Sequence, residues 1–387
     1  MKFLHTADWH LSRYFHGASL LDDQHHVLQQ FVALAADEQV DAVVIAGDVY
    51  DRAVPPAEAV ALLGDTLEQL IVKHGIAVIL IAGNHDSAER IGFSGRILER
   101  QGLFVRGGLA HLAPVVLGQG DRRVAFHPLP YVEPAFARAL PGAEAVTDHA
   151  SAMAHVLGRL RASSFEPGRP NVLVGHAFVA GGSESESERP LSVGGSGAVP
   201  VDTFDGFDYV ALGHLHRPQQ ADAAGRIRYS GSLLKYSFQE AGHAKSVSVV
   251  RVGADGRCEV AEHRLSARRD VRVLRGTLQH LLDGRDGNGP RDDYISAHLT
   301  DPGPVFDPMG RLREAFPNLM EIRFTRHESP AGGAAPAARD HRRLDPADLF
   351  RGFWRDMKGE ELADDQLQAF QACAQPVIRA QQDEAGA

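Results

Sequence analysis

Cysteine is nearly absent from this chain of 387 residues, which has only Cys258 and Cys373. Two cysteines cannot build a disulfide framework, so the composition excludes a small secreted domain held together by disulfides and favours a reducing compartment. We also expect no signal peptide, because only Lys2 precedes the first apolar residues and the polar Asp8 follows almost at once. We therefore expect a cytoplasmic protein.

Long apolar runs and an excess of positive charge are missing as well. No stretch is apolar over the about 20 residues that a membrane-spanning helix needs, so we expect no membrane span. The 40 basic and 50 acidic residues give a formal net charge of −10. This charge argues against a surface covered with DNA-binding groups, although a local basic patch remains compatible with it.

The most informative stretch that is present runs from Asp41 to Asp51. Its apolar residues 42–46, A-V-V-I-A, are too few for a solvated helix and predict a buried parallel strand that is covered on both faces. Gly47 ends the strand, and Asp48 stands at its carboxyl end, where open α/β sheets bind their ligands.

Four further predicted strands end in polar residues of similar kinds. These strands lie at Lys2–Thr6, 76–82, 171–174 and 209–212, and the residues beyond them are Asp8 and His10, Asn84, His176, and His214 and His216. Each residue taken singly is more often a capping, surface or packed core residue than a ligand. Five strand ends that converge on one place are better explained by a shared ligand. Carboxylate, amide and imidazole donors without a thiolate suit Mn²⁺ or another borderline divalent metal.

The order of the predicted elements divides the chain into four parts. Strands and helices alternate at first, and shorter strands with Gly and Pro turns continue the first part to residue 265. A separate β-α-β-α-β series occupies residues 266–328, a Pro/Gly/Ala-rich linker residues 329–344, and two helices residues 345–387. Within the first part, residues 180–190 contain the run S-E-S-E-S-E-R and are expected to form a solvated, mobile loop.

Arginines cluster where the second part begins. Five arginines against one acid, Asp270, give 5 − 1 = +4 charges across residues 264–275. The candidates for DNA contact are Arg268, Arg269, Arg272 and Arg275. Two interpretations remain open. The arginines can form a stripe that contacts successive DNA phosphates, or they can simply lie on a solvated strand surface.

The last part carries a stripe of large apolar residues on two short helices. Its members are Phe350, Phe353, Trp354 and Met357 on the first helix and Leu367 and Phe370 on the second. The stripe can fold back on the main domain or bind a partner. We favour a docking surface for a partner, since the two helices follow a linker and have little core of their own.

Five motifs follow one another along this chain: D-x-H, G-D-x-x-D, G-N-H-D, G-H and G-H-x-H. In these motifs and their order, the chain resembles the calcineurin-like metallophosphoesterase superfamily. Within that superfamily, four longer stretches resemble the SbcD-type DNA double-strand-break nuclease subunits. These stretches are H-T-A-D-W-H-L, G-D-V-Y-D, A-G-N-H-D-S and A-L-G-H-L-H-R-P. The resemblance implies an α/β sandwich of two mixed sheets flanked by helices, a small α+β capping domain and a C-terminal helical pair. The first part of the chain would then be the nuclease domain, the second the DNA-contacting cap and the last the ATPase-docking segment.

The same resemblance implies a role for each motif residue. Two metal ions, expected to be Mn²⁺, would share Asp48. One ion would be held by Asp8, His10, Asp48 and His216, and the other by Asp48, Asn84, His176 and His214. His85 would lie over the scissile phosphate, with Asp86 orienting its ring, and a metal-activated water would attack.

The implied activity is that of a DNA exonuclease on double-strand ends and an endonuclease on single strands and hairpins. The implied partners are DNA and an SbcC-type SMC-like ATPase, with a homodimer inside a heterotetramer. Two alternatives remain, a small-molecule or protein phosphoesterase on the same centre and a scaffold that has lost its metals. Seven intact ligand positions and His85 count against the scaffold.

Overall fold

The computed structural model describes residues 1–165, 168–188, 197–284, 289–324, 347, 350–352, 354–355 and 359–373. Contacts divide the chain into two compact units, Met1–Arg326 and His327–Ala387. The first unit contains the following strands in chain order: β1 Lys2–Thr6, β2 Tyr14–Phe15, β3 Ala18–Ser19, β4 Ala42–Ala46, β5 Ala77–Ile81, β6 Leu103–Arg106, β7 Val115–Leu117, β8 Val124–Pro128, β9 Asn171–His176, β10 Tyr209–Gly213, β11 Gln219–Gln220, β12 Ile227–Tyr229, β13 Ser246–Val252, β14 Cys258–Arg264, β15 Val271–Gly276, β16 Tyr294–Leu299 and β17 Leu319–Phe324. Its helices are α1 Leu21–Asp37, α2 Ala57–Glu68, α3 Ala88–Ile91, α4 Gly95–Leu98, α5 Pro134–Ala137, α6 His149–Ser164, α7 Leu278–Asp283 and α8 Pro308–Ala315.

Two mixed sheets of six strands form the body of this unit. Their strand orders are β14-β13-β1-β4-β5-β6 and β11-β12-β10-β9-β8-β7. In the first sheet β1, β4, β5 and β6 are parallel. At one edge β13 pairs antiparallel with β1, and β14 pairs antiparallel with β13. In the second sheet β8, β9, β10 and β12 are parallel. The predicted pair of mixed sheets is confirmed.

Apolar side chains on both faces of the central strands explain why these sheets stack in layers. Phe3 and Val44 from the first sheet and Phe126 and Val174 from the second share one core between the sheets. The opposite face of the first sheet packs on α1 and α2, and that of the second on α6. Each large apolar side chain buried this way contributes about 1.5–3 kcal/mol. Because both faces of the central strands are covered, these strands read as continuous apolar runs.

Helix α6 is an element that the sequence analysis missed. Asp148 caps it, accepting a hydrogen bond from the backbone of Ser151, while the Ser151 side chain bonds back to the backbone of Asp148. The apolar residues Ala152, Val156 and Leu160 recur at helical spacing on its buried face. The capping box and the periodicity were both visible in the sequence. No helix among the described residues is long and apolar enough to cross a membrane.

The predicted β-α-β-α-β module lies within the first unit. Strands β15, β16 and β17 form a parallel three-stranded sheet, and α7 and α8 pack on one of its faces around Leu274, Ala297 and Leu312. The module therefore has an apolar core of its own. Val271 and Tyr294, at the ends of β15 and β16, pack instead into the core that contains α1.

The second unit retains part of the predicted aromatic stripe. The rings of Phe350 and Phe370 stack with centroids 4.0 Å apart, and Trp354 lies 6.0 Å from Phe350. Residues 364–373 are helical. Phe353 and Met357, two members of the stripe, lie outside the described residues.

Candidate metal centre

The ends of five parallel strands meet at one place in the structure. Three of them, β1, β4 and β5, belong to the first sheet, and β9 and β10 belong to the second. The seven residues that the sequence analysis selected as metal ligands stand at these ends, and their side chains come together: Asp8, His10, Asp48, Asn84, His176, His214 and His216. All are buried except Asn84, which is half-buried.

The loops after β1 and β4 are joined residue by residue. The backbone N–H of Asp8 donates to the carbonyl of Gly47 at 3.0 Å, and that of His10 donates to the carbonyl of Asp48 at 3.0 Å. Asp8, His10 and Asp48 adopt positive φ angles of 55°, 44° and 50°. Such a conformation costs of order 1–3 kcal/mol per residue and persists where the surroundings enforce it, which is typical of functional sites.

Residue Trp9 shows how the D-x-H motif divides between core and site. Its indole packs edge-on against Phe31 and donates to the hydroxyl of Thr6 at 2.9 Å, inside the apolar core. The residues on either side therefore point the opposite way, into the site. The amide of Gln24 fixes this loop by donating to the carbonyls of Trp9 at 3.0 Å and His10 at 2.7 Å.

Glycine is required where the ligand loops approach one another most closely. A Cβ atom on Gly83 would lie 2.2 Å from Oδ1 of Asp48, and one on Gly213 would lie 2.1 Å from the carbonyl oxygen of Ala46. Neither distance is possible for a real side chain. The glycines of G-N-H-D and G-H-x-H thus allow the ligands from both sheets to converge.

Asp48 lies in the middle of the cluster. Its Oδ2 is 3.4 Å from Nε2 of His176 and 3.7 Å from Nε2 of His10, and its Oδ1 accepts the backbone N–H of His85 at 2.9 Å. The two histidines belong to the two different ligand sets that the resemblance implies. The position of Asp48 between them is the one that a bridging carboxylate needs.

The remaining candidate ligand atoms form two neighbouring groups. On one side, Nε2 of His10 and Nε2 of His216 are 3.0 Å apart. On the other, Oδ1 of Asn84 is 2.9 Å from Nε2 of His176 and 3.3 Å from Nδ1 of His214. Ligand atoms of Asp8, His10 and His216 all lie within 4.8 Å of one another, as do those of Asp8, Asp48 and His176.

Several of these buried atoms have no hydrogen-bond partner among the described residues. They are Oδ2 of Asp8, Nδ1 of His10 and Nε2 of His214. Leaving a buried polar atom unpaired costs about 1–3 kcal/mol. Divalent cations would satisfy such a set of oxygen and nitrogen donors, so the residues fit the metal ions that the resemblance implies.

The carboxylates and histidines at the centre shift one another's pKa values. Burial raises the pKa of Asp8 well above its usual value, and the negative charge of Asp48 adds to this effect. Burial opposes ionisation of Asp48 too, but His176 and His10 hold the pKa of that carboxyl well below its usual value. Burial would lower the pKa of His176, yet the carboxylate of Asp48 raises it to about 9. Cations would take the place of the protons on Asp8 and His176, which is how metal sites release protons on binding.

His85 and Asp86 are separated in a way that the sequence analysis did not foresee. Nδ1 of His85 lies 2.9 Å from the carbonyl oxygen of Asp51, which orients the half-buried ring. Asp86 instead accepts backbone N–H groups of Val49, Tyr50 and Gly83 at 3.1, 2.9 and 2.9 Å. The expected contact between Asp86 and the ring is therefore corrected. Asp86 connects the loop after β5 to the loop after β4, because its carboxylate accepts hydrogen bonds from backbone amides of both loops.

A cavity of about 540 Å³ opens beside the centre. Asn84 and Asp86 form its polar side, and Tyr131 and Phe136 line the apolar side. Phe136 is 70% exposed. An apolar recess next to a few converging polar groups is the usual form of a small-ligand site.

Part of the predicted solvated loop is buried against this centre, which corrects that expectation. Ser187 and Glu188 are 7% and 9% exposed. The Ser187 hydroxyl lies 2.6 Å from Nδ1 of His216, and Glu188 accepts the backbone N–H of His216 at 2.8 Å. Periodicity does not reveal such burial, since the partners of these residues are distant in sequence.

The arginine cluster is partly used inside the protein. Arg269 binds the buried carboxylate of Asp23 with two nitrogens, at 3.0 and 2.6 Å. Arg272 binds the buried Asp293 at 2.6 Å. Arg268 and Arg275 are exposed. The structure thus divides the proposed DNA-binding stripe into two structural ion pairs and two exposed arginines.

Comparison with known proteins identifies the family. A profile described as calcineurin-like phosphoesterase matches residues 1–218, and one described as Type 5 capsule protein repressor C-terminal domain (SbcD_C) matches residues 267–358. The chain is 34% identical to the D subunit of nuclease SbcCD from Staphylococcus epidermidis, over 83% of its own length and 85% of that protein. It is also 34% identical to the protein of the same name from Staphylococcus saprophyticus, over 83% and 84% of the two chains. The chain belongs to the SbcD family of calcineurin-like phosphoesterases.

Membership of the SbcD family confirms three predictions, namely the sandwich fold, the family and a metal-dependent phosphodiesterase. A crystal structure of a Thermus thermophilus protein, TT1561, also matches, with a TM-score of 0.39 at 13% identity over 67% of this chain and 98% of that one. A likeness at that level supports no inference about function.

Proposed function

We propose that this protein is the nuclease subunit of an SbcCD-type complex and hydrolyses DNA phosphodiester bonds with two Mn²⁺ ions. Its activities are those of an exonuclease on double-strand ends and an endonuclease on single strands and hairpins. The observation that carries the proposal is the convergence, at five strand ends, of six further oxygen and nitrogen side chains around Asp48. The relatives named as the D subunit of a nuclease point to DNA as the substrate.

Each ligand set draws on both sheets. Asp8, His10 and His216 would hold one ion together with Asp48, while Asn84, His176 and His214 would hold the other with the same carboxylate. When bound, two such ions lower the pKa of an attacking water and stabilise negative charge on the phosphate. The protein's own contribution is to fix the ligands and to bury the centre, so that charge interactions there are strong.

His85 supplies the remaining chemistry in this proposal. Its Nδ1–H donates a hydrogen bond to the carbonyl oxygen of Asp51, so its Nε2 faces away from that bond and is available to the substrate. The ring lies edge-on to His10 at 4.7 Å between centroids, next to the ligands but outside the two proposed ligand sets. From this position His85 in its doubly protonated form can donate the Nε2 proton to the leaving oxygen as the phosphodiester bond breaks, and it then remains as the neutral ring with its hydrogen on Nδ1.

The proposed partner is an SbcC-type SMC-like ATPase, bound by the helices of the second unit. Phe350, Trp354 and Phe370 form an aromatic cluster there, and large aromatics are the usual anchors of an interface. A homodimer within a heterotetramer, located in the cytoplasm, completes the proposal. The exposed Phe93 and Ile97, 79% and 74% accessible, offer an apolar surface for the second copy.

The test is Mn²⁺-dependent cleavage of blunt and hairpin-ended duplexes, with and without the ATPase and ATP. Cleavage of both duplexes that requires Mn²⁺, and that ATP and the ATPase stimulate, is expected. Hydrolysis of p-nitrophenyl phosphate or a phosphopeptide without any cleavage of DNA would replace the proposal with a small-molecule or protein phosphoesterase. Absence of both activities in a protein loaded with Mn²⁺ would reject the enzyme altogether.

The role of the second unit is tested by ending the chain after Arg339. We expect the shortened protein to lose co-purification with the ATPase and ATP-dependent processing of duplex ends. Mn²⁺-dependent nicking of single strands should remain, because the last proposed ligand, His216, precedes the truncation. Retained binding of the ATPase would reject the docking role.

A further inference from the structure

A buried hydroxyl connects the metal centre to a carboxylate that the two ligand sets do not include. Oγ of Ser187 lies 2.6 Å from Nδ1 of His216 and is hydrogen-bonded on its other side to Oε1 of Glu240. All three side chains are buried, with exposures of 7%, 1% and 0%. The chain His216–Ser187–Glu240 therefore leads from a proposed ligand into the protein interior.

Glu240 can act only as an acceptor in this arrangement. Its Oε2 is paired with the buried ammonium of Lys245, and its Oε1 also accepts the backbone N–H of Tyr236 at 3.2 Å. Lys245 itself is held by the carbonyl of His216 at 2.7 Å and the hydroxyl of Ser232 at 2.8 Å. A carboxylate that faces an ammonium group is ionised, and an ionised carboxylate has no hydrogen to donate.

The direction of each hydrogen bond follows from that restriction. Ser187 has one hydroxyl hydrogen, and it must go to Glu240. The oxygen of Ser187 then accepts from Nδ1–H of His216, so the proton of the neutral imidazole is on Nδ1. Nε2 of His216 is left with its lone pair, directed toward the centre, where Nε2 of His10 is 3.0 Å away.

We propose that Ser187 and Glu240 are positioning residues that fix the tautomer and ring orientation of His216, and through it the affinity for the metal ion shared with Asp8 and His10. This inference rests on the proposed two-metal function. The inference assigns a role to the S-E-S-E-S-E run, because this run contains Ser187 and places its hydroxyl against His216. Outer partners of histidine ligands commonly raise metal affinity in this way.

Other contacts of Ser187 allow the hydroxyl to be tested separately. The backbone carbonyl of Ser187 accepts a hydrogen bond from Arg13 at 3.1 Å, and the neighbouring Glu188 binds the backbone N–H of His216. Both contacts remain in a Ser187→Ala variant, which removes only the hydroxyl. Ser183→Ala is the matched control, since Ser183 lies in the same run, its backbone binds Gln219, and its hydroxyl has no hydrogen bond to any residue of the centre among the described residues.

The experiment is a titration of the metal-free full-length protein with Mn²⁺, followed by electron paramagnetic resonance of free Mn²⁺ and by calorimetry. Wild type and Ser183→Ala should bind two ions. Ser187→Ala should bind one ion normally and the other about 10–100-fold more weakly. Glu240→Gln should weaken the same ion, and Ser187→Thr, which keeps a hydroxyl, should restore wild-type affinity.

The outcomes separate this inference from the proposed function. A wild type that binds no Mn²⁺ would reject the two-metal function itself. A wild type that binds two ions, together with a Ser187→Ala variant of unchanged affinity at both, would overturn the positioning role alone. Equal weakening of both ions, or failure of Ser187→Thr to restore affinity, would mean that Ser187 only supports the fold, and would also overturn it.

Discussion

The metal centre and the junction between α1 and the small β15–β17 module both bury charged groups, but they treat them in opposite ways. At the junction, the carboxylate of Asp23 receives two bonds from Arg269 and one from Tyr294 at 3.0 Å. At the centre, Oδ2 of Asp8 and Nε2 of His214 have no partner among the described residues. Since buried polar groups are usually satisfied, the unpaired set is the place best suited to binding a ligand.

The difference separates stability from function. A satisfied buried pair fixes how two parts of the fold meet, whereas a cluster of unpaired oxygen and nitrogen atoms offers donors for a bound ligand. Variants at the centre should therefore change metal content and catalysis. Variants at the junction should change stability instead, and each prediction below tests one side of this contrast.

The largest effect is expected from Asp48→Ala. Asp48 lies between His10 and His176, so its removal should abolish binding of both metal ions and all cleavage. Metal content of the purified protein checks this, with circular dichroism as the test that the fold persists. Asp255→Ala, at an exposed carboxylate, is the control and should retain both ions. Two ions still bound by Asp48→Ala would rule out a bridging carboxylate.

A smaller loss is expected from His85→Ala. The ring is bonded to the carbonyl of Asp51 and belongs to neither proposed ligand set, so two Mn²⁺ ions should bind with normal affinity. Loss of a general acid typically lowers the rate by about 10²–10⁴-fold. Single-turnover cleavage with saturating Mn²⁺, beside a Mn²⁺ titration, measures the two quantities. Loss of one ion would make His85 a ligand and contradict the assignment.

The strand ends that build the centre were predictable because four of the five strands are short apolar runs that end at or beside a glycine, and the first, β1, is followed directly by the D-x-H motif. Runs such as Ala42–Ala46 and Tyr209–Gly213 need no tertiary information to be recognised. The partners of the ligands were not predictable in this way. Ser187 and Glu240 reach His216 only because distant loops fold together, and Asp86 binds backbone amides rather than the His85 ring for the same reason. Asp23 and Gln24 did leave a signal, since they are polar residues on the buried face of α1.

At the junction, Asp23→Asn should lower the free energy of unfolding by about 1–3 kcal/mol, because the charge-assisted bonds to Arg269 are lost in a buried place. Metal content should stay at two ions. Asp22→Asn is a matched control on the adjacent residue, whose exposed carboxylate is 3.9 Å from Arg268 and should contribute little. Urea denaturation measures both variants. Equal losses of stability in the two would contradict the contrast between buried and exposed pairs.

The smallest effect concerns the arginines that the structure leaves exposed. Arg275 lies opposite His298 on the face of the small sheet away from α7 and α8, whereas Arg272 is held by Asp293. If Arg275 contacts a DNA phosphate, Arg275→Ala should reduce the slope of log K against log salt by about 0.9, because one fewer counterion is released. The loss of affinity should be the same for unrelated sequences, since a phosphate contact carries no sequence information.

Arg272→Ala should instead lower the melting temperature and leave the slope unchanged, because its guanidinium is already engaged within the protein. Fluorescence anisotropy of a labelled duplex at several salt concentrations provides the slopes. An unchanged slope in Arg275→Ala would assign this arginine to the solvated surface and restrict DNA contact to other parts of the protein.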